Sequence, residues 1–141
     1  MQGDMTGSEL PQAGIDAFNS RDRVAMRKLY APDATILNPD SPIAMTVDEM
    51  VNGFDASLVA FPDANISLGS VLAQGDNVAF EMTWTGTHQG PLEMPDGGEL
   101  PATGLTVSFP VAVMLETAGG LIRRERQYYD NLGILDQLGV T

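Results

Sequence analysis

Two periods divide the chain. Up to about residue 60 the apolar positions recur every three or four residues, and beyond it they alternate with polar ones. Leu10, Ala13, Gly14, Ala17 and Phe18 give one apolar stripe, so a first helix is expected to end near Asn19, with Ser8 as its cap. Met26, Leu29 and Tyr30 share one face of a second, short helix. Ala31-Pro32-Asp33 should end it, because the residue before proline avoids the helical region. Ala34 to Leu37 reads as a short strand and Asn38 to Pro42 as a loop. Thr46-Val47-Asp48-Glu49 is a capping box, with a hydroxyl first and a carboxylate three residues later. It opens a third helix with Val47, Met50, Val51, Phe54 and Leu58 on one stripe, stopped by Phe61-Pro62-Asp63.

The alternating half predicts strands over 66–72, 78–88, 106–116 and 121–130. On the longest, Val78, Phe80, Met82 and Trp84 share one face, and Glu81, Thr83, Thr85 and Thr87 the other. Gln74 to Asn77 and Thr117 to Gly120 are turns, and Gln89 to Thr103 is a Gly- and Pro-rich loop whose Pro91 to Pro101 stretch, with Glu93, Asp96 and Glu99, could serve as a lid or lie solvated. Pro110 inside a strand calls for a bulge or an edge. A terminal helix should run from Asn131 to Leu138 with Asp130 as its cap. Helices first and a hairpin-connected sheet after them make an α+β fold, a curved antiparallel sheet wrapped as a cone over the N-terminal helices. Residues 1–8 read as a flexible lead-in and 9–141 as a single domain.

Composition narrows the function. The net charge of −12 argues against nucleic acid and anionic membrane surfaces as partners. The absence of cysteine excludes disulfides, thiolate metal sites and a thiol nucleophile, and a single His excludes a multi-histidine metal centre. No metal or other cofactor is expected. No apolar run is long enough to span a membrane and the N-terminus lacks a signal-peptide core, so a cytoplasmic location is the expectation.

Several short motifs, taken in order, resemble one family. They are Ala17-Phe18-Asn19, Ile36-Leu37-Asn38-Pro39, Phe61-Pro62-Asp63, Gly86-Thr87-His88-Gln89-Gly90, and Tyr128-Tyr129-Asp130-Asn131-Leu132-Gly133 with Gln137-Leu138-Gly139. Together they are similar to the SnoaL-like polyketide cyclases of the nuclear transport factor two-like superfamily, from about Gln12 to Gly139. The resemblance implies an α+β cone with an apolar pocket, a hydrophobic small-molecule ligand and a homodimer packed through sheet faces. It also implies an acid/base Asp near the end of the last strand, assisted by a His on the preceding one. The matching positions hold Gln127, or Asp130 if the register slips by three residues, and about Val113. Gln exchanges no proton near neutrality, so the cyclase mechanism does not transfer unmodified.

The candidate groups follow from that frame. Glu125, Gln127 and Tyr129 alternate and share a face of the last strand, where Glu125 could act as base and Gln127 hold an enolate oxygen. A one-residue slip would present Arg124, Arg126 and Tyr128 instead. His88 could orient substrate or merely hold the loop after it, and Asp130 could exchange protons or only cap the helix. Tyr30, Asn38, Met82, Trp84, Phe109, Val113 and Tyr129 are the candidate binding residues. Two readings stand: a cofactor-independent cyclase, isomerase or dehydratase acting on a hydrophobic carbonyl compound, or a binding protein that kept the pocket without the chemistry. A scaffold subunit pairing through its sheet face is a third.

Overall fold

The computed structural model describes residues 5–140 except Pro95, and the side chain of Pro42 is likewise left aside. A 3-10 turn, Gly7–Glu9, begins inside the expected lead-in, and the Glu9 carboxylate takes the Thr6 N–H at 2.9 Å. Helix α1 (Leu10–Asn19) follows from it, so Ser8 is not the cap that the sequence suggested. Helix α2 (Arg23–Arg27) is capped by Asp22, whose side chain accepts the Ala25 N–H. Helix α3 (Val47–Ala60) starts on the expected Thr46 box: Thr46 Oγ1 accepts the Glu49 N–H at 3.1 Å, and Glu49 Oε1 accepts the Thr46 N–H at 3.0 Å. Such a cap contributes about 1 kcal/mol.

Six strands form the main sheet: β1 (Tyr30–Asn38), β2 (Ser41–Met45), β3 (Asn65–Gln74), β4 (Asn77–Thr87), β7 (Thr106–Ala118) and β8 (Leu121–Tyr128), in the order β2-β1-β8-β7-β4-β3. Between β4 and β7 lies a small hairpin, β5 (Leu92–Glu93) with β6 (Glu99–Leu100), where the sequence suggested only a loop. Helix α4 (Asn131–Gln137) closes the chain on an Asp130 cap, with Asp130 Oδ1 accepting the Gly133 N–H at 2.9 Å.

Two expectations need correction. Tyr30 begins β1 rather than ending a helix, and Pro32 and Asp33 lie within that strand. The reason is its neighbour. β1 runs parallel to β8, pairing Tyr30 with Ile122 and Ile36 with Glu125, and a partner that arrives ninety residues later leaves no local signature. The sheet is therefore mixed, with this one parallel pair in an otherwise antiparallel array. Pro110 makes no bulge, since Thr83 pairs with it in unbroken register. β7 extends past its last described pair with β8, Ala112–Tyr128, so a missing N–H is tolerated on that open side. Two residues away, the Gln137 side-chain amide takes the place of a strand, accepting the Ser108 N–H at 2.8 Å and donating to its carbonyl at 3.0 Å.

The concave face carries the core. Ile36, Val78, Val107, Val113 and Leu115 are closed off from solvent, with α1 and α3 supplying Leu10, Ile15, Phe18, Met50 and Val51 over them. The convex face mixes polar and apolar side chains, with Thr83, Ser108, Ala112, Met114 and Tyr128 exposed.

Candidate functional site

The register of the sheet sorts the concave side chains into rows. Ile36, Glu125, Leu115 and Val78 share one, and Gln127, Val113 and Phe80 the next. Asn38 follows Leu37, the partner of Arg126, and so lies beside Gln127. Tyr129, Val111 and Met82 come next by parity, then the Phe109–Trp84 pair. Val78, Leu115 and Glu125 are buried, as are Val113, Phe80 and Val111 in the following rows, whereas Asn38, Gln127, Tyr129, Met82, Trp84 and Phe109 are half-buried. The aromatic rings form a continuous course: Tyr129 to Phe109 at 5.8 Å, Phe109 stacked on Trp84 at 5.3 Å, and Trp84 edge-on to Phe61 at 5.1 Å.

Glu125 is the buried charge of this face, 7% exposed. Tyr30 donates its hydroxyl to Glu125 Oε1 at 2.6 Å, and Gln127 donates Nε2–H to Oε2 at 2.5 Å. Burial raises the carboxyl pKa above its ordinary value, and the two donated hydrogen bonds pull it partly back. Burial raises the Tyr30 phenol pKa as well, and the adjacent carboxylate adds to it. Tyr30 is thus buried against the acid rather than placed at a mouth. Gln127 spends one amide hydrogen on Glu125 instead of leaving both for an enolate.

The remaining candidates lie elsewhere. His88 is 0% exposed, just beyond β4, and stands ten residues along the chain from Val78, or roughly 30 Å of strand from the Glu125 row. Its Nδ1 lies 3.2 Å from the Thr103 N–H and 3.0 Å from the Thr103 hydroxyl. Backbone bonds from His88 N to Leu105 O and from Gly104 N to His88 O close the neck of the β5–β6 excursion. Gly90 docks there on Ala60 O, and a Cβ at that position would stand 2.0 Å from Val59 O. Asp130 is exposed and engaged as a cap, and Val113 is a buried wall residue. Asp40, which the sequence did not single out, accepts the Tyr129 hydroxyl at 2.7 Å and the Asn131 amide at 2.6 Å, tying the β1–β2 turn to the end of β8. The one hint in the sequence was its place in an Asn-Pro-Asp turn.

Other chemistry is less well provided for. No group of three or more His, Asp and Glu side chains is arranged to hold a metal ion among the described residues. A surface cleft of about 480 Å³ lies between α1, α2 and the β7–β8 turn, lined by Met5, Leu10, Ala13, Leu29 and Leu121, and it holds none of the candidates. No helix among the described residues is long and apolar enough to cross a membrane.

A curved, open sheet over helices is the frame of the cone-shaped α+β proteins. Within that class the chain belongs to the SnoaL-like polyketide cyclase family, whose profile matches residues 9–138. Among solved structures it is similar to IdmH of Streptomyces antibioticus, provisionally a polyketide cyclase, at 26% identity and a TM-score of 0.82, over 96% of this chain and 100% of that one. It is also similar to AclR of Streptomyces galilaeus, provisionally a hydroxylase, at 27% identity and a TM-score of 0.78, over 94% and 80%. A SnoaL-like protein of Jannaschia, 20% identical with a TM-score of 0.81 over 99% of both chains, shares the fold. No curated protein sequence matches the chain.

Proposed function

We propose that the wide end of the concave face is a cup for a hydrophobic, enolisable carbonyl compound, and that Glu125 moves a proton on it without a cofactor. The observation that carries this reading is the placement of the acid. Glu125, 7% exposed, lies one row from the half-buried Gln127, and the half-buried Met82, Trp84, Phe109 and Tyr129 follow on the rows beyond. A carboxylate whose pKa burial has raised is a stronger base than a solvated one, as abstraction of a proton next to a carbonyl requires. Cyclisation, isomerisation and dehydration all pass through such a step. The test is deuterium uptake from heavy water by 2-tetralone, an apolar enolisable ketone. The wild type should catalyse exchange, with a rate that climbs with pH as Glu125 ionises and then levels. Glu125→Gln should abolish exchange while the ketone still quenches Trp84, the chain's single tryptophan. Exchange that survives this substitution contradicts the assignment.

A second reading, a binding protein without catalysis, draws on the position of Gln127. It stands between Glu125 and the cup, where the family resemblance places a carboxylate. Ketone binding with no exchange above the solvent rate would favour it. We also propose a homodimer through the convex sheet face, where Met114 and Tyr128 are 36% and 56% exposed.

A further inference from the structure

Gln127 is held asymmetrically. An ionised carboxylate has only acceptors to offer, so the amide facing it must turn its nitrogen inward. That is the arrangement here, with Nε2 at 2.5 Å from Glu125 Oε2. The amide oxygen points away from this bond. It has no hydrogen-bond partner among the described residues, yet it is not among the unsatisfied polar atoms closed off from solvent, and Gln127 is half-buried on the concave face. We propose that Glu125 sets the polarity of the cup floor by locking Gln127 with its nitrogen inward, so that the floor presents Gln127 Oε1 and selects ligands placing a hydroxyl or enol donor there. This rests on the cup reading above and adds the class of ligand: apolar enolisable carbonyl compounds that also carry a hydroxyl or enol donor at the buried end, bound in preference to their ethers.

The lock depends on the charge of Glu125. A neutral acid can hand its own hydrogen to the amide oxygen, which frees Gln127 to turn over. Few other groups interfere. Tyr30 donates to Glu125 from β1, and Ile36 and Leu115 are its neighbours on β1 and β7. The helices over the sheet bury only apolar side chains there, among them Leu10, Phe18, Met50 and Val51. Arg124 pairs with Glu116 at 3.4 Å and Arg126 lies 3.9 Å from it, both of opposite parity on β8 to Glu125 and Gln127.

Quenching of Trp84 by 2-naphthol, 2-methoxynaphthalene and naphthalene tests the proposal, because the three share one apolar body. At neutral pH the naphthol should bind about tenfold more tightly than its methyl ether, the size of one hydrogen bond. The preference should shrink as the pH falls through the Glu125 transition, and it should be lost in Glu125→Gln and in Gln127→Leu while naphthalene still binds. A second readout needs no ligand. One Gln127 side-chain amide proton should exchange slowly and lie downfield at neutral pH, and lose both properties when Glu125 is protonated. Equal binding of naphthol and ether by the wild type overturns the selector and leaves the cup intact. Failure of all three probes to bind overturns both.

Discussion

At the scale of the residue the site is a balance between burial and donated hydrogen bonds. Glu125 has lost most of its water, and two neutral donors replace it. Removing one tilts the balance: Tyr30→Phe should raise the Glu125 pKa further, shift the rise of the exchange rate to higher pH, and cost about 1–2 kcal/mol in a denaturant titration. Stability follows the same sign. A carboxyl whose pKa is raised in the folded state binds its proton more tightly there than in the unfolded chain. Its contribution is therefore full below the ordinary value of 4.5 and is lost as the pH climbs through the folded value. Glu125→Gln removes that loss. The variant should be about 1 kcal/mol more stable near neutrality, roughly 2–4 °C in melting temperature, with a flatter pH profile above the ordinary carboxyl value. A variant less stable than the wild type at neutral pH would contradict this.

At the scale of the element, the loop between β4 and β7 hangs on a neck made by His88, Gly90 and Thr103. Gly90→Ala should push its new methyl group against the Val59 carbonyl and cost about 1–3 kcal/mol, read from the urea midpoint. His88→Ala should loosen the neck and speed amide exchange over 89–104 without moving the pH dependence set by Glu125. Much at this scale was legible in the chain. The Thr46 box, the alternating strands and the Asp130 cap are local signals, and each lies where its chemistry put it. What was not legible depends on distant partners. β1 takes its length from β8, and Tyr30 passed for a helical residue because the strand that claims it lies some ninety positions further on. Alternation alone put Glu125 and Gln127 on one face of the last strand, and only the folded sheet decided that this face turns inward. That Gln127 would spend an amide hydrogen on Glu125, and that Asp40 would gather Tyr129 and Asn131, needed the sheet to be folded.

At the scale of the whole molecule the charge is uneven. The chain carries a net −12, yet three of its seven basic side chains, Arg123, Arg124 and Arg126, lie on β8. Two share the convex parity of that strand and meet Glu116 there, so the basic charge on this face offsets its carboxylates where two copies would meet. The proposed dimer should therefore tighten with added salt, as repulsion between the two acidic bodies is screened, and sedimentation at low and moderate ionic strength measures this. Ala112→Arg, which puts a charge in the middle of the uncovered face, should yield monomers. Dimers unaffected by it would place the interface elsewhere.

Everything proposed for the concave face turns on Glu125, a buried acid with a raised affinity for its proton. The most direct test is to follow the Glu125 side-chain carboxyl carbon by NMR as the pH is varied. A midpoint above the ordinary 4.5, moving higher in Tyr30→Phe, is the predicted result. A midpoint at or below that value would mean that the carboxylate is solvated or paired with a cation, and neither the proton transfer assigned to it nor its hold on Gln127 would stand.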